Sequence, residues 1–357
     1  MSAAASAAGD EVARRAEAAG VSQEAVELVV GSPLIDLHLE TYLQRRIFGT
    51  HLGRRQERTL LRGHRFGHLD FVRALEGGLR GAMWSLATNV VQPPGPRWRA
   101  FERTYASLRR DLSAAPGITV VGTASELRRA LGGGQHGAML AVQGGNVFEG
   151  APELRLPADL VRVTLMHLTD SVYGSTSSPM RLPWRGQRGL TAQGRALVEA
   201  LDAARVFVDL AHVDRAGFWD AVDVHDPSLP LIVTHTGVNG VKPHWRNLDD
   251  DQLRAVAETG GVVGVMFAPP FLRPPGGPRD GRMVVAHLEH IERVAGAGVA
   301  ALGSDYDGFI TPPADLRDGS TAYYRVVQRL LEAGWSPERI QGVLGVSFLR
   351  CFETLRP

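Results

Sequence analysis

The chain has 357 residues, of which 44% are hydrophobic and 22% are charged, so it can bury a large core as one α/β barrel or as two domains. Its 39 basic and 38 acidic residues are intermixed and give a formal net charge of +1. Nucleic acid is therefore not expected as a partner, because no basic stripe is present to neutralise phosphates.

Two scarce residue types narrow the chemistry further. Lys242 is the only lysine and lies in the loop after His235, so lysine Schiff-base chemistry and a carbamylated lysine bridging two metals are not expected. Cys351 is the only cysteine, which excludes an internal disulfide and a Cys-x-x-Cys site. No apolar run reaches about eighteen residues and no secretory signal is evident, so we expect a cytoplasmic protein without membrane association.

The predicted elements alternate between short apolar strands and amphipathic helices. One helix is predicted over residues 8–30, and we assign residues 1–30 to a helical lead-in and residues 31–357 to a single catalytic domain. Helical patterns over 190–205 and 247–260 separate later strands, and the second opens with an Asp-rich first turn. The predicted strands cover residues 34–40, 78–88, 118–121, 137–145, 160–168, 206–212, 231–237, 260–268 and 299–308.

Eight or nine strand–helix units with polar residues at the carboxyl ends of the strands favour a (β/α)8 TIM-type barrel. A doubly wound sheet is the alternative, but no Gly-rich phosphate-binding turn follows an early strand. The Pro- and Gly-rich stretches 93–96 and 268–281 are predicted to be loops over the barrel mouth.

Candidate metal ligands occur at the ends of four predicted strands. In the first strand, Asp36, His38 and Glu40 alternate with apolar residues and so share one strand face. Two further strands end in His212 and His235, and a fourth delivers Asp305. The carboxyl ends of barrel strands meet at one mouth, so these side chains predict a zinc site with an open position for an activated water. Asp305 is the expected proton acceptor, and its alternative role is to form a turn.

Several motifs, in the right order from about Pro33 to Phe352, resemble the membrane dipeptidase family (renal dipeptidase, peptidase M19) within the amidohydrolase-like superfamily. The motifs are IDLHLE, MWS (83–85), QGGNVFEG (143–150), VTLMH, DLAHV, THTG, the segment 244–265, HLEHI (287–291) and GSDYDG. The resemblance implies a metal-dependent barrel hydrolase that cleaves a dipeptide or an N-acylated amino acid.

The resemblance also implies roles for individual residues. It makes His38 a first-strand metal ligand and His212 with His235 the pair that holds a metal. His167 would steady the oxygen of the tetrahedral intermediate and contact substrate, Arg246 would bind the substrate carboxylate, and Asp305 would transfer a proton. An alternative for Arg246 is a surface ion pair with the acidic start of the following helix, and His167 could equally be a core residue.

Two positions depart from the family pattern. Glu40 stands where the family has aspartate, and Gln143 stands where the family has a glutamate that bridges two metals. An amide removes one negative charge between the cations and leaves one good donor oxygen. We therefore expect one firmly bound Zn²⁺, with a second weak or absent, and with Glu40 and Gln143 still at the metal site.

These departures leave two alternatives to a dipeptidase. One is a metal-poor or inactive homologue that binds peptide-like ligands, and the other is a mononuclear enzyme acting on a non-peptide bond. The resemblance further suggests a homodimer, to which an apolar segment around Phe267 to Leu272, predicted to be exposed, could contribute. His51, His64 and His68 are predicted to be loop and surface residues.

Overall fold

The computed structural model describes residues 3–56, 64–179 and 188–357, and nine parallel strands form its centre. Each predicted strand is present, although most are shorter than predicted. In chain order the strands are β1 (Ile35–Leu39), β2 (Gly81–Ala87), β3 (Ile118–Val120), β4 (His136–Gln143), β5 (Leu160–Thr164), β6 (Phe207–Asp209), β7 (Ile232–Thr236), β8 (Val262–Val265) and β9 (Ala300–Leu302).

The sheet closes into a barrel because β2 pairs with β1 on one side and with β4 on the other. Eight strands complete the circle in the order β1, β2, β4, β5, β6, β7, β8, β9. Strand β3 pairs with the first half of β4, before β5 joins at Leu140, and so lies outside the circle. The prediction of a (β/α)8 barrel is confirmed. The doubly wound alternative is wrong, because an open sheet ends in two edge strands, whereas each strand of this circle pairs with a strand on both sides.

Helices surround the barrel. They are α1 (Ala3–Ala19), α2 (Gln23–Val30), α3 (Tyr42–Phe48), α4 (Phe71–Glu76), α5 (Pro94–Ser113), α6 (Ala124–Gly132), α7 (Ala192–Ala203), α8 (Arg215–Val224), α9 (Asp250–Glu258), α10 (Pro269–Leu272), α11 (Arg282–Ala295), α12 (Ala322–Glu332), α13 (Pro337–Gln341) and α14 (Ser347–Leu355). Short 3-10 segments occupy Gly145–Gly150 and Ala314–Leu316, and a π-helical turn, Gly342–Val346, joins α13 to α14. None of the helices in the described ranges is long and apolar enough to span a membrane.

The N-terminal region forms two helices instead of the one predicted over residues 8–30. Gly20 adopts a left-handed φ of 66°, and Ser22 then caps α2 by accepting a hydrogen bond from the Ala25 amide. A glycine in this conformation ends a helix, and a serine at the cap begins the next one. The helical repeat alone does not reveal that break.

Local sequence explains other helix boundaries. Helix α9 begins with a capping box between Asp249 and Gln252, as its Asp-rich start predicted. The stretch 93–96 is not a mouth loop, because Pro94 begins the long helix α5, a position where proline costs no hydrogen bond. The segment 267–272 is not an exposed apolar surface either, since Phe267 and Leu272 are completely buried and α10 lies within it.

Glycines allow the strands beneath the site to approach closely. A Cβ atom on Gly303, after β9, would lie 1.8 Å from the carbonyl oxygen of Thr234 in β7, and one on Gly264 in β8 would lie 2.0 Å from the same oxygen. Side chains at these two positions would force the strands apart. The glycines therefore fix the strand spacing immediately beneath His235.

Candidate metal centre and active site

Three histidines meet at the carboxyl ends of the barrel strands. His38 lies on β1, His235 lies on β7, and His212 lies in the loop after β6 rather than on the strand. The Nε2 atoms of His212 and His235 are 2.9 Å apart. The rings of His38 and His235 are stacked, with 3.7 Å between their centroids and an angle of 24° between their planes. The predicted convergence of imidazoles is present in the structure.

Two carboxyl groups face His38 from the same mouth. The Nε2 atom of His38 lies 3.7 Å from Oε1 of Glu40 and 3.7 Å from Oδ1 of Asp305. One potential ligand atom from each of His38, His235 and Asp305 falls within 4.8 Å of the others. His212 and Asp305 both adopt left-handed φ values, 65° and 61°, which are uncommon for residues other than glycine and which cluster at functional sites.

The electrostatic environment keeps the three imidazoles neutral, which is the charge state that metal binding requires. Burial, reinforced by nearby positive groups, lowers the pKa values of His38, His212 and His235 well below the usual histidine range. Burial also raises the pKa of Glu40 to about 7 and that of Asp305 well above its ordinary value. A divalent cation would offset the free-energy cost of burying a charged carboxylate, so the two carboxyl groups would lose their protons as the cation bound.

Gln143, at the end of β4, contacts the same two histidines. Its side-chain nitrogen lies 3.2 Å from Nε2 of His212 and 3.4 Å from Nε2 of His235. Buried atoms of Gln143 (Oε1), Glu40 (Oε1) and His38 (Nε2) have no hydrogen-bond partner among the residues that the structure describes. The orphaned oxygens beside the converging imidazoles fit a bound metal ion. The amide fits a bridge between two ions poorly, because it has a single good donor oxygen and no charge.

A hydrogen-bond chain orients His235. The hydroxyl of Thr234 donates to Oδ2 of Asp209 (2.7 Å), so its oxygen accepts from Nδ1 of His235 (2.9 Å). The proton of the neutral ring therefore lies on Nδ1, and Nε2 presents its lone pair to the mouth. A histidine ligand commonly has its second nitrogen held in this way.

A cavity of about 550 Å³ opens above these groups and brings the remaining predicted residues to its wall. His167 lies there after β5, and burial with two nearby arginines lowers its pKa to about 3. Arg246 is 5% exposed and, through burial, has a pKa lowered to about 10, so it remains charged. Leu168, Trp245 and Phe309 make the upper wall apolar.

The alternative role of Arg246 and the predicted surface position of His68 are both wrong. The acidic residues after Arg246 have other partners, since Asp249 pairs with Arg215 (2.7 Å) and Asp250 contacts His290 (2.7 Å). His68 is not a surface residue, because it is fully buried and its backbone amide donates to Asp307. Asp307 also accepts a hydrogen bond from Thr41 and so secures the loop that carries Asp305.

Sequence reasoning missed two arginines close to the site. Arg162 is fully buried in the barrel interior, and its Nη2 lies 3.0 Å from Nδ1 of His38. Arg46 lines the cavity and hydrogen-bonds to the carbonyl oxygen of Ala87. The signal for Arg162 was available, because a single charged residue inside the apolar run LVRVTLMHL must be paired when it is buried.

Histidines and carboxyl groups around an apolar cavity at the mouth of a (β/α)8 barrel define the class of metal-binding barrel proteins that use their strand ends for chemistry. The family comparison is more specific. The sequence profile of the membrane dipeptidase family (peptidase family M19) matches residues 22–356, and the chain belongs to this family.

One curated relative and two solved structures are similar to the chain. An uncharacterized protein in the pqqA 5' region of Klebsiella pneumoniae is 35% identical over 175 residues, which cover 47% of this chain and 61% of that protein. The chain therefore spans less than two thirds of this curated relative. Two solved structures share the fold with a TM-score of 0.77, and each comparison covers 91% of this chain and 99% of the other. One is a dipeptidase of family M19 (24% identical), and the other is a metallo peptidase from Rhodobacter sphaeroides with a phosphinate mimic of L-Ala-D-Ala (23% identical).

Proposed function

We propose that the protein is a metal-dependent hydrolase that cleaves the amide bond of a dipeptide or a related N-acyl amino acid. The observation that carries this proposal is the 2.9 Å approach of His212 Nε2 to His235 Nε2. His38 is stacked on His235, and its Nε2 lies 3.7 Å from both Glu40 and Asp305. Membership of the membrane dipeptidase family supports the same reaction.

The donor set supports one firmly bound zinc ion, held by His212 and His235 with Gln143 beside them. His38 and Glu40 would form a second half-site that is weak or empty, because Gln143 supplies no charge between the two positions. A zinc ion in the firm position would act as a Lewis acid. It would also lower the pKa of a water molecule toward neutral, so that the water can lose a proton and attack an amide.

Residues of the chain supply the remaining steps. Asp305 lies at the floor of the cavity, where its raised pKa suits a carboxyl group that accepts a proton and returns it to the leaving amine. His167 is neutral, so an N–H of its ring can donate to the oxygen on which charge develops. Arg246 projects into the cavity with a charged, planar group that matches a carboxylate.

The cavity supports a small substrate with an apolar side chain. Its volume of about 550 Å³ is in the range of small-molecule sites, and its walls include Leu43, Ile47 and Leu168. The relative from Rhodobacter sphaeroides holds a mimic of L-Ala-D-Ala. Dipeptides with a D-residue at the C-terminal position therefore belong among the first substrates to test.

The organisation of the protein is also part of this proposal. Residues 31–357 would be the catalytic domain and residues 1–30 a helical lead-in, with helices α1 and α2 packed against α12. A cytoplasmic homodimer is the expected form. Light scattering after gel filtration would distinguish a dimer from the 38.6 kDa monomer.

Metal content and hydrolysis, measured on the same preparation, test the proposal. We expect about one zinc per chain, dipeptide cleavage that a chelator abolishes, and loss of both in His212→Asn. The matched control, His51→Asn, alters an exposed histidine outside the cavity and should change neither. Binding of dipeptides without cleavage would indicate the inactive homologue instead, and cleavage of non-peptide bonds alone would indicate the other alternative.

A further inference from the structure

Arg162 places a positive charge inside the barrel, directly beneath His38. It lies on β5 and is completely buried. Its Nη1 donates to the carbonyl oxygen of Val142 (3.0 Å) and lies 3.4 Å from Oδ2 of Asp209. Its Nη2 lies 3.0 Å from Nδ1 of His38 and also contacts the hydroxyl of Ser85. The guanidinium is therefore fixed by several elements of the barrel.

The contact between Arg162 and His38 determines where the imidazole proton lies. A guanidinium has hydrogen-bond donors and no acceptor, so Nδ1 of His38 must accept. The Ser85 hydroxyl accepts from Arg162 and lies 3.3 Å from the same Nδ1, which leaves its own proton to point at that nitrogen. With Nδ1 accepting, the proton of the neutral ring lies on Nε2.

His38 and His235 are therefore in opposite tautomers although their rings are stacked. Nδ1 of His235 donates to Thr234, so its Nε2 offers a lone pair. Nε2 of His38 instead carries a proton and lies 3.7 Å from the nearest oxygen of both Glu40 and Asp305. A nitrogen that carries a proton cannot ligate a metal.

We propose that Arg162 holds His38 in the Nε2–H tautomer, so that His38 points an N–H toward the carboxyl groups of Glu40 and Asp305 instead of ligating a metal. Arg162 also places a permanent positive charge next to His38, which belongs to the proposed second half-site. The inference rests on the proposed metal site, but it assigns His38 a role that differs from the one the resemblance implies.

The tautomer can be measured directly on the metal-free wild-type protein. Long-range ¹⁵N–¹H correlation spectra distinguish a protonated Nδ1 from a protonated Nε2 in each histidine ring, and His38→Gln identifies the signals of His38. We expect the Nε2–H pattern for His38 and the Nδ1–H pattern for His235 at neutral pH. A proton on Nδ1 of His38, or on both of its nitrogens, would overturn the inference.

Zinc binding by two matched variants tests the effect of the charge. In Arg162→Met, affinity for a second zinc should rise by about tenfold or more, because a buried positive charge near the ion has been removed. The control Arg73→Met removes another fully buried arginine, which pairs with Asp70 away from the site, and should leave the stoichiometry unchanged. An unchanged second-zinc affinity in a folded Arg162→Met protein would contradict the role of Arg162.

Failure of this inference can be distinguished from failure of the proposed function. If the wild-type protein bound no zinc and cleaved no dipeptide, the proposed function would fail, whereas the spectrum of His38 would still decide the tautomer. If Arg162→Met does not fold, the wild-type spectrum alone carries the decision. Full activity with one zinc and a lone pair on Nε2 of His38 would reject the inference and leave the proposed function intact.

Discussion

Nη2 of Arg246 donates a hydrogen bond to the main-chain oxygen of His235, with 2.7 Å between the atoms. The arginine proposed to bind the substrate carboxylate is thereby connected to the strand that supplies a proposed metal ligand. One end of a bound dipeptide would be fixed relative to the group that activates the water. Accurate placement of this kind contributes strongly to catalysis.

Arg246→Leu should therefore raise KM for a dipeptide, with kcat/KM falling about tenfold to a hundredfold, as expected for a lost charged hydrogen bond. A dipeptide whose C-terminus is amidated separates binding from structural damage. The wild-type enzyme should discriminate against the amide, and the variant should lose that discrimination. Arg215→Leu, which breaks a surface pair with Asp249, is the control. If both variants kept the wild-type preference, Arg246 would have another role.

Asp305→Asn should lower kcat by about a hundredfold to ten-thousandfold, the range for loss of a general acid–base group. The amide preserves the size of the side chain but cannot accept and return a proton. Zinc content should be measured in parallel, so that loss of metal is not mistaken for loss of proton transfer. The control Asp280→Asn alters a carboxylate paired with Arg282 on the surface. Normal turnover in Asp305→Asn would refute the proton-transfer role.

The exposed apolar residues at the cavity mouth should determine the preference among dipeptides. Leu168 is 52% exposed and lines the cavity, so an apolar substrate side chain would cover the remaining surface. Leu168→Ser should lower kcat/KM for a leucine-containing dipeptide by about threefold to tenfold and leave a glycine dipeptide almost unchanged. Val91 is 83% exposed and lies outside the cavity lining, so Val91→Ser is the control. Equal losses with both dipeptides would argue against this preference.

Buried neutral histidines should make the protein sensitive to acid. The indole of Trp84 donates to Nε2 of His136 (3.0 Å), whose Nδ1 donates to the carbonyl of Leu79 (2.9 Å). Burial lowers the pKa of His136 from 6.5 to about 4. Between these two values the unfolded chain binds the proton and the folded protein does not, so stability falls as the pH drops below 6.5.

His136 alone should lower the free energy of unfolding by about 1.4 kcal/mol at roughly pH 5.5, relative to pH values well above 6.5. Urea unfolding in the presence of a chelator, repeated across this pH range, measures the effect without a contribution from bound metal. His136→Gln should remove the share of this pH dependence that His136 contributes. The control, His51→Gln, changes an exposed histidine and should leave that share in place. An identical pH dependence in wild type and His136→Gln would contradict the prediction.

Periodicity and residue spacing predicted much of the barrel because every strand is apolar and ends near polar residues. All nine predicted strands are present, and the helix at Asp249 begins where its acidic residues indicated. The break at Gly20 was missed, because the helical repeat of apolar residues continues across it in the sequence, whereas the left-handed backbone of Gly20 ends the helix in the structure.

The sequence by itself determined the barrel class and the residues near its mouth, since parallel strands of a closed barrel must bring their carboxyl ends together. His38, His212, His235 and Asp305 could be chosen on that basis. Only the tertiary structure decided which atoms face one another. The contact of Arg162 with His38, and of Thr234 with His235, depends on register and side-chain direction between strands far apart in the sequence. Those contacts determine proton positions, and residue spacing along one strand contains no information about them.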